Sequence, residues 1–154
     1  MNVILNPVGR VHNAEPGPRE DYWGSIVSEI RLEEGFQREA LKGLGEFSHI
    51  EVLFYFHGVS EDSITRGTRH PRGNPSWPEV GIFAQRGKNR PNRIGATICR
   101  LLSVEGTRIR VQGLDALDGT PVLDIKPVMQ EFLPERGAVR QPQWATALMK
   151  DYFA

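Results

Sequence analysis

The run IEVLFYFH, from Ile50 to His57, constrains the fold of this chain most. It is rich in β-branched and aromatic side chains, which suit a pleated surface, and it reads as a fully buried central strand. Other segments supply its partners. Val3 to Val11 is an opening strand weakened by Pro7 and Gly9, and the Pro-rich AEPGPRED that follows is a loop. Tyr22 to Leu32 alternates, with Ile26, Ser28 and Ile30 on one face and Ser25, Val27, Glu29 and Arg31 on the other. Val80 to Ala84 is a short strand. Ile94 to Val104 and Ile109 to Leu114 flank Glu105-Gly106 as a hairpin. Val122 to Phe132 is a further strand, with Asp124 and Lys126 on its polar face and Leu123 and Ile125 on the other. Two segments have helical spacing: Phe36 to Phe47, and Pro142 to Phe153 with Trp144, Leu148 and Tyr152 at i, i+4 and i+8. About seven short strands with few helices predict an all-β fold, a small barrel or a sandwich. The expected division is a barrel domain over residues 1–135 and a tail with an amphipathic helix over 136–154.

Charge refines this picture. The 154 residues carry 19 Lys/Arg and 19 Asp/Glu, so the net charge is zero. Its distribution is uneven: residues 1–65 are net −6, residues 66–110 net +8 and residues 111–154 net −2. A basic middle in a neutral chain points to a local anionic partner such as phosphate or RNA, or to basic segments interleaved with acidic ones by folding. The single cysteine, Cys99, excludes an internal disulfide and lies in the apolar run ATICRLL, as a structural thiol does. No apolar run approaches the roughly 18 residues of a membrane span, and MNVILNPVGRVHN lacks the form of a signal peptide. A cytoplasmic, soluble protein is the expectation.

Two loops hold the candidate chemistry. GIFAQRGKNRPNRIG, residues 81–95, places Arg86, Lys88, Arg90 and Arg93 beside Gly87 and Gly95. Glycines let the chain approach a ligand, and arginine offers a planar fork to phosphate or carboxylate. LDALDGTPVLDIKP, residues 114–127, places Asp115, Asp118 and Asp124 around a Gly-Thr-Pro turn. Those carboxylates either accept hydrogen bonds from ribose hydroxyls or an amino group, or cap turns. The long polar stretch 58–79 adds Arg69 and Arg72. His12, His49, His57 and His70 are not at metal-ligand spacing, so no metal is expected. Gly43-Leu44-Gly45 lacks a third glycine and is no dinucleotide fingerprint; there is no G-x-S-x-G.

In order, FSHIEVLFYFH, HPRGN, VGIFAQR, RPNRIG and LDALDGTPVLDIKP resemble the motifs of the TsaA-like (YaeB/TrmO) family, over roughly residues 3–133. The resemblance implies a β-barrel methyltransferase unrelated to the Rossmann type. It implies S-adenosyl-L-methionine as cofactor, a homodimer, and tRNA as partner, methylated on the exocyclic nitrogen of threonylcarbamoyl-adenosine beside the anticodon. Residue by residue, Arg86 matches the arginine of the family's F-A-x-R motif and is the leading catalytic candidate. His57 and Gly58 match the pair that ends the central strand, at the cofactor pocket. Ala96 matches a backbone contact to the cofactor, and Leu114, Asp115, Ala116, Leu117 and Asp118 match the segment around the adenosyl group. The loop Arg19 to Trp23 closes over the same pocket.

On this reading the enzyme aligns an attacking nitrogen with an activated methyl group, and Asp124 or Asp118 accepts the proton. Arg69, Arg72, Lys88, Arg90 and Arg93 neutralise RNA phosphates. Two departures bear on the substrate: RPNRIG has Arg93 where the family has proline, and DIKPV has Val128 where it has tyrosine. The chain also ends soon after the barrel, whereas longer members carry a further tRNA-gripping domain. Two other readings therefore stand beside tRNA methylation: the same fold acting on a different small substrate, and a non-catalytic binding or sensor protein.

Overall fold

A computed structural model describes all 154 residues. Eight strands form: β1 (Gly9–His12), β2 (Val27–Leu32), β3 (His49–Tyr55), β4 (Thr68–Arg69), β5 (Val80–Gly81), β6 (Ile94–Glu105), β7 (Arg108–Gln112) and β8 (Pro121–Pro127). Six close into a barrel in the order β1-β2-β7-β6-β3-β8, with β8 returning to β1 and every pairing antiparallel. The all-β expectation resolves in favour of the barrel. Closure removes the free sheet edges that a sandwich would leave.

Alternation fills the interior. Val11, Ser28, Ile30, Ile50, Val52, Phe54, Ile109, Val111 and Val122 are buried, one face from each strand in turn. Ser28 and Ile30 share the inward face of β2 as its pattern predicts. β3 corrects the sequence reading: it is central, between β6 and β8, but only alternate residues are fully buried. Its second face is half-covered because a small barrel has one interior. Gly95 on β6 lies opposite Phe54, and a Cβ there would stand 2.5 Å from the Phe54 ring. The β6–β7 hairpin turns at Gly106, with φ +61.

Several boundaries also differ from expectation. Residues 1–8 form no strand, since Pro7 removes a ladder donor; the first strand begins at Gly9. β2 starts at Val27 rather than Tyr22, and Tyr22 itself has φ 65, outside strand geometry. Phe36 to Phe47 is not one helix but two 3-10 turns, Arg38–Leu41 and Leu44–Glu46, separated by Gly43 at φ 84. β8 stops at Pro127, followed by a 3-10 turn at Gln130–Phe132. The terminal helix, α1 (Gln143–Leu148), is six residues long and passes into turns through Phe153.

No helix is long and apolar enough to cross a membrane.

Because neighbouring strands are antiparallel, one barrel end gathers the ends of β1, β3 and β7 and the starts of β2, β6 and β8. The candidate site lies there. The opposite end carries the β6–β7 turn and the 3-10 turns of residues 38–46.

Candidate functional site

Segments far apart in sequence meet around Asp115. Strand β7 ends at Gln112, and Gly113, at φ 85, turns the chain so that Leu114 and Ala116 bury while Asp115 remains half-buried between them. Each Asp115 carboxylate oxygen accepts from a different hydroxyl: Oδ1 from Thr97 of β6 and Oδ2 from Tyr152 of the C-terminal segment. One residue before Thr97, the carbonyl of Ala96 accepts from Arg86 Nη2 at 2.5 Å. The loop arginine, the β6 start and the 114–118 segment therefore form one cluster.

Asp118 plays a different part. Its Oδ1 accepts the backbone N–H of Asn13 at 3.0 Å, and its own N–H donates to Glu15 O. Asn13 Nδ2 donates to Ser28 Oγ and to Ala116 O, both at 2.9 Å. Asn13 thus ties the 114–118 turn to the end of β1 and to β2. Gly119, at φ 79, completes the turn into β8. Of the two uses open to Asp118 in the sequence, turn fixation is the one observed, though the bond reaches across the barrel end rather than along its own turn.

His57 and Gly58 follow β3 at the same end and are exposed. His57 Nδ1 lies 3.3 Å from Thr120 Oγ1, and a Cβ on Gly58 would meet nothing within 4 Å. Asp124 stands apart. Its Oδ1 accepts the Ile125 N–H, its Oδ2 pairs with Lys126 Nζ at 2.6 Å, and it lines a cleft with Leu32, Phe36, Leu41 and Leu44. None of the residues around Asp115 lines that cleft.

Three of the five loop cations chosen for phosphate are committed to the protein. Arg72 makes two bonds to Asp21, at 2.7 and 3.0 Å, and a third to Glu20 O. That pairing holds the Asp21 carboxyl below its usual range, chiefly through the Arg72 hydrogen bond. Arg90 Nη1 donates to Gln85 O at 2.9 Å, and Arg93 Nη1 to Val59 O at 2.9 Å. Arg93 also lies over the Tyr55 ring at 4.9 Å and has φ 51. Proline, fixed near −65°, cannot adopt that φ, so the proline-to-arginine departure goes with this local backbone. Lys88 has no side-chain partner and is exposed, as is Arg66; Arg69 is half-buried with no bond from its guanidinium.

Asn13, Thr97 and Phe83 escaped the sequence reading, which placed Tyr152 only in a helical stripe. Phe83 is 79% exposed beside the Arg86 loop. The Tyr152 hydroxyl is pushed well above its usual range, first by burial and then by the Asp115 charge, while Arg72 and Arg86 act in the opposite sense. Only the conjunction of Asp115 with a tail tyrosine marks Tyr152, and that requires the fold. Cys99 is buried, and burial pushes its thiol up to about 12, as suits a structural residue.

The chemistry of the donor set fits S-adenosylmethionine. That molecule combines a ribose diol, a purine, a sulfonium and an amino-acid end. The Asp115 carboxylate suits the ribose diol and the exposed Arg86 guanidinium the amino-acid carboxylate, while Leu114 and Ala116 are packed into the barrel core beneath them.

Comparison with known proteins gives the same frame. Residues 12–132 match the family described as the tRNA-methyltransferase O N-terminal domain. The tRNA (adenine(37)-N6)-methyltransferase of Mus musculus is 34% identical over 142 residues, 85% of this chain and 32% of that protein. The S-adenosyl-L-methionine-binding protein of Archaeoglobus fulgidus is 34% identical over 143 residues, 90% of this chain and 96% of that protein. The crystal structure of TrmO from Pseudomonas aeruginosa aligns with a TM-score of 0.73 at 32% identity, covering 94% of this chain and 63% of that one. The chain spans 42% and 32% of the bacterial and mammalian curated relatives it matches, but nearly all of the archaeal one.

Proposed function

The chain belongs to the family of the tRNA-methyltransferase O N-terminal domain, and from that premise we propose that it is an S-adenosylmethionine-dependent methyltransferase acting on tRNA. The observation that carries this reading is the meeting of Arg86, Ala96, Thr97 and Asp115 at one barrel end. When bound, S-adenosylmethionine supplies a methyl group already activated on a sulfonium. The protein then has to bind, orient and exclude water.

In this reading Asp115 holds the ribose hydroxyls, half-buried Leu117 walls the purine over the packed Leu114 and Ala116, and His57 and Gly58 leave the mouth open. Arg86 holds the amino-acid end and fixes the Ala96 carbonyl. The acceptor is an adenosine beside the anticodon, with its exocyclic nitrogen substituted by threonylcarbamoyl. The proton from that nitrogen goes to Asp118 rather than Asp124, because Asp118 shares the barrel end with Asp115 while Lys126 occupies Asp124. Lys88, Arg66 and Arg69 supply phosphate contacts, and exposed Phe83 offers a stacking face. The family's homodimer is part of the proposal.

One observation favours a second reading. Two archaeal relatives that this chain covers almost completely are named for S-adenosyl-L-methionine binding alone, whereas this chain covers 32% of the mouse methyltransferase. A barrel that binds the cofactor and methylates a smaller substrate, or methylates nothing, fits those names.

Two experiments decide. Calorimetric titration with S-adenosylmethionine and S-adenosylhomocysteine tests the cofactor, with about one site per chain expected. Transfer of labelled methyl to tRNA carrying threonylcarbamoyl-adenosine, against tRNA lacking it, tests the substrate. Binding without transfer to either RNA selects the second reading; absence of binding removes both.

A further inference from the structure

We infer that the C-terminal segment is a strap that completes the cofactor site, with Tyr152 as the residue that positions Asp115. This rests on the proposal that Asp115 faces S-adenosylmethionine. The segment returns to its own barrel. Tyr22 N–H donates to Asp151 O at 2.9 Å and Trp23 N–H to Tyr152 O at 2.8 Å, so residues 151–152 lie against 22–23 in a short backbone ladder. Gly24 makes the approach possible: a Cβ there would stand 2.0 Å from Phe153 O. Tyr152 packs edge-on against Phe153, with ring centroids 4.8 Å apart. Trp23 is buried beneath, with Arg19 over its ring at 5.7 Å.

The hydroxyl at the end of this strap reaches Asp115 Oδ2, while Thr97 holds Oδ1. Two donors from opposite sides fix the plane of the carboxylate. An ionised carboxylate has about four acceptor positions, so two remain for the hydroxyls of a ligand. The arrangement therefore orients Asp115 without blocking it. The Arg72–Asp21 bonds brace the 20–23 loop on which the strap sits, joining the polar loop to the same support.

The test is calorimetric titration of the full chain with S-adenosylhomocysteine, comparing wild type, Tyr152→Phe, Asp115→Asn and the double variant. Phenylalanine keeps the ring packing and removes the donor. A hydrogen bond to a charged group is worth enough that Kd should rise about tenfold. In the Asp115→Asn background the same substitution should change Kd by less than about twofold, because the two act as a unit. Gly24→Ala, which lifts the strap without altering the Tyr152 or Asp115 side chain, should weaken binding similarly and serves if Tyr152→Phe does not fold. Wild-type affinity in Tyr152→Phe or in folded Gly24→Ala overturns the inference. So does full additivity with Asp115→Asn, which would make Tyr152 mere packing. If wild type itself does not bind, the cofactor reading has failed before any substitution, and the strap falls with it.

Discussion

The polar stretch 58–93 and the terminal segment 143–154 both lie outside the barrel, and both reach the end where Asp115 sits. The sequence advertised the first and disguised the second. Residues 66–93 are dense in arginine, yet Arg72, Arg90 and Arg93 are spent on Asp21, Gln85 O and Val59 O. The tail reads as an amphipathic helix, yet α1 stops at Leu148 and the useful residue, Tyr152, lies in the turns beyond it. Clustered charge marks a place where a chain needs cations. It does not say whether the need is a ligand or the loop's own carbonyls, since arginine's donors serve both.

Substitutions in the two regions should separate those roles. The largest effect is expected from Arg86→Ala, which removes the one loop cation bonded into the Asp115 cluster. Methyl transfer should fall by at least about 100-fold, the scale of a lost charge-stabilising donor. The circular-dichroism melt should stay near wild type, since Arg86 is exposed. Full activity in that variant would mean the loop supplies no site residue at all.

Arg72→Ala and Lys88→Ala should then part company. Arg72→Ala leaves the half-buried Asp21 unpaired and should cost about 1–3 kcal/mol in chemical denaturation. Lys88→Ala should leave stability within about 0.5 kcal/mol. It should instead reduce the slope of log RNA affinity against log salt by about one. Equal salt slopes in the two variants would erase the distinction between structural and free cations.

The smallest effect concerns the tie between the regions. Arg72 holds the Asp21 carboxyl below its usual range, so the native state favours the ionised form. The stability from this pair is present above the ordinary carboxylate range, about pH 4, and is lost as pH falls through the lowered native value. Because the tail docks on residues 22–24, protease cleavage within 143–154 should increase below about pH 4. Asp21→Asn should show the same cleavage at neutral pH. Unchanged cleavage in Asp21→Asn would show that the strap does not depend on the polar loop.

Much of the scaffold was legible. The β-branched and aromatic run Ile50 to His57 announced β3 though not its one-sided burial, period-two alternation announced the face of β2 shared by Ser28 and Ile30, and Glu105-Gly106 announced the hairpin turn, because composition and alternation leave a local trace. The helix expected over Phe36–Phe47 failed because helical spacing persists in 3-10 turns, while Gly43 at positive φ breaks the register that spacing implies. Motif order singled out Arg86, Ala96 and Asp115, which the fold brings together, but Thr97 and Asn13 carried no local signal. A threonine on a strand and an asparagine before a loop are common everywhere.

Strands and family motifs are therefore legible in the amino-acid order, since alternation and short motifs are properties of neighbouring residues. The resemblance also implied the barrel, but which six strands close it, in what order, and that Arg72 belongs to Asp21 emerged with the fold. The fold also decided that the last turn of the chain lies against Gly24 with a tyrosine on Asp115. Those outcomes rest on contacts between residues up to 129 positions apart, such as Trp23 with Tyr152, and nothing in the local pattern encodes such pairings.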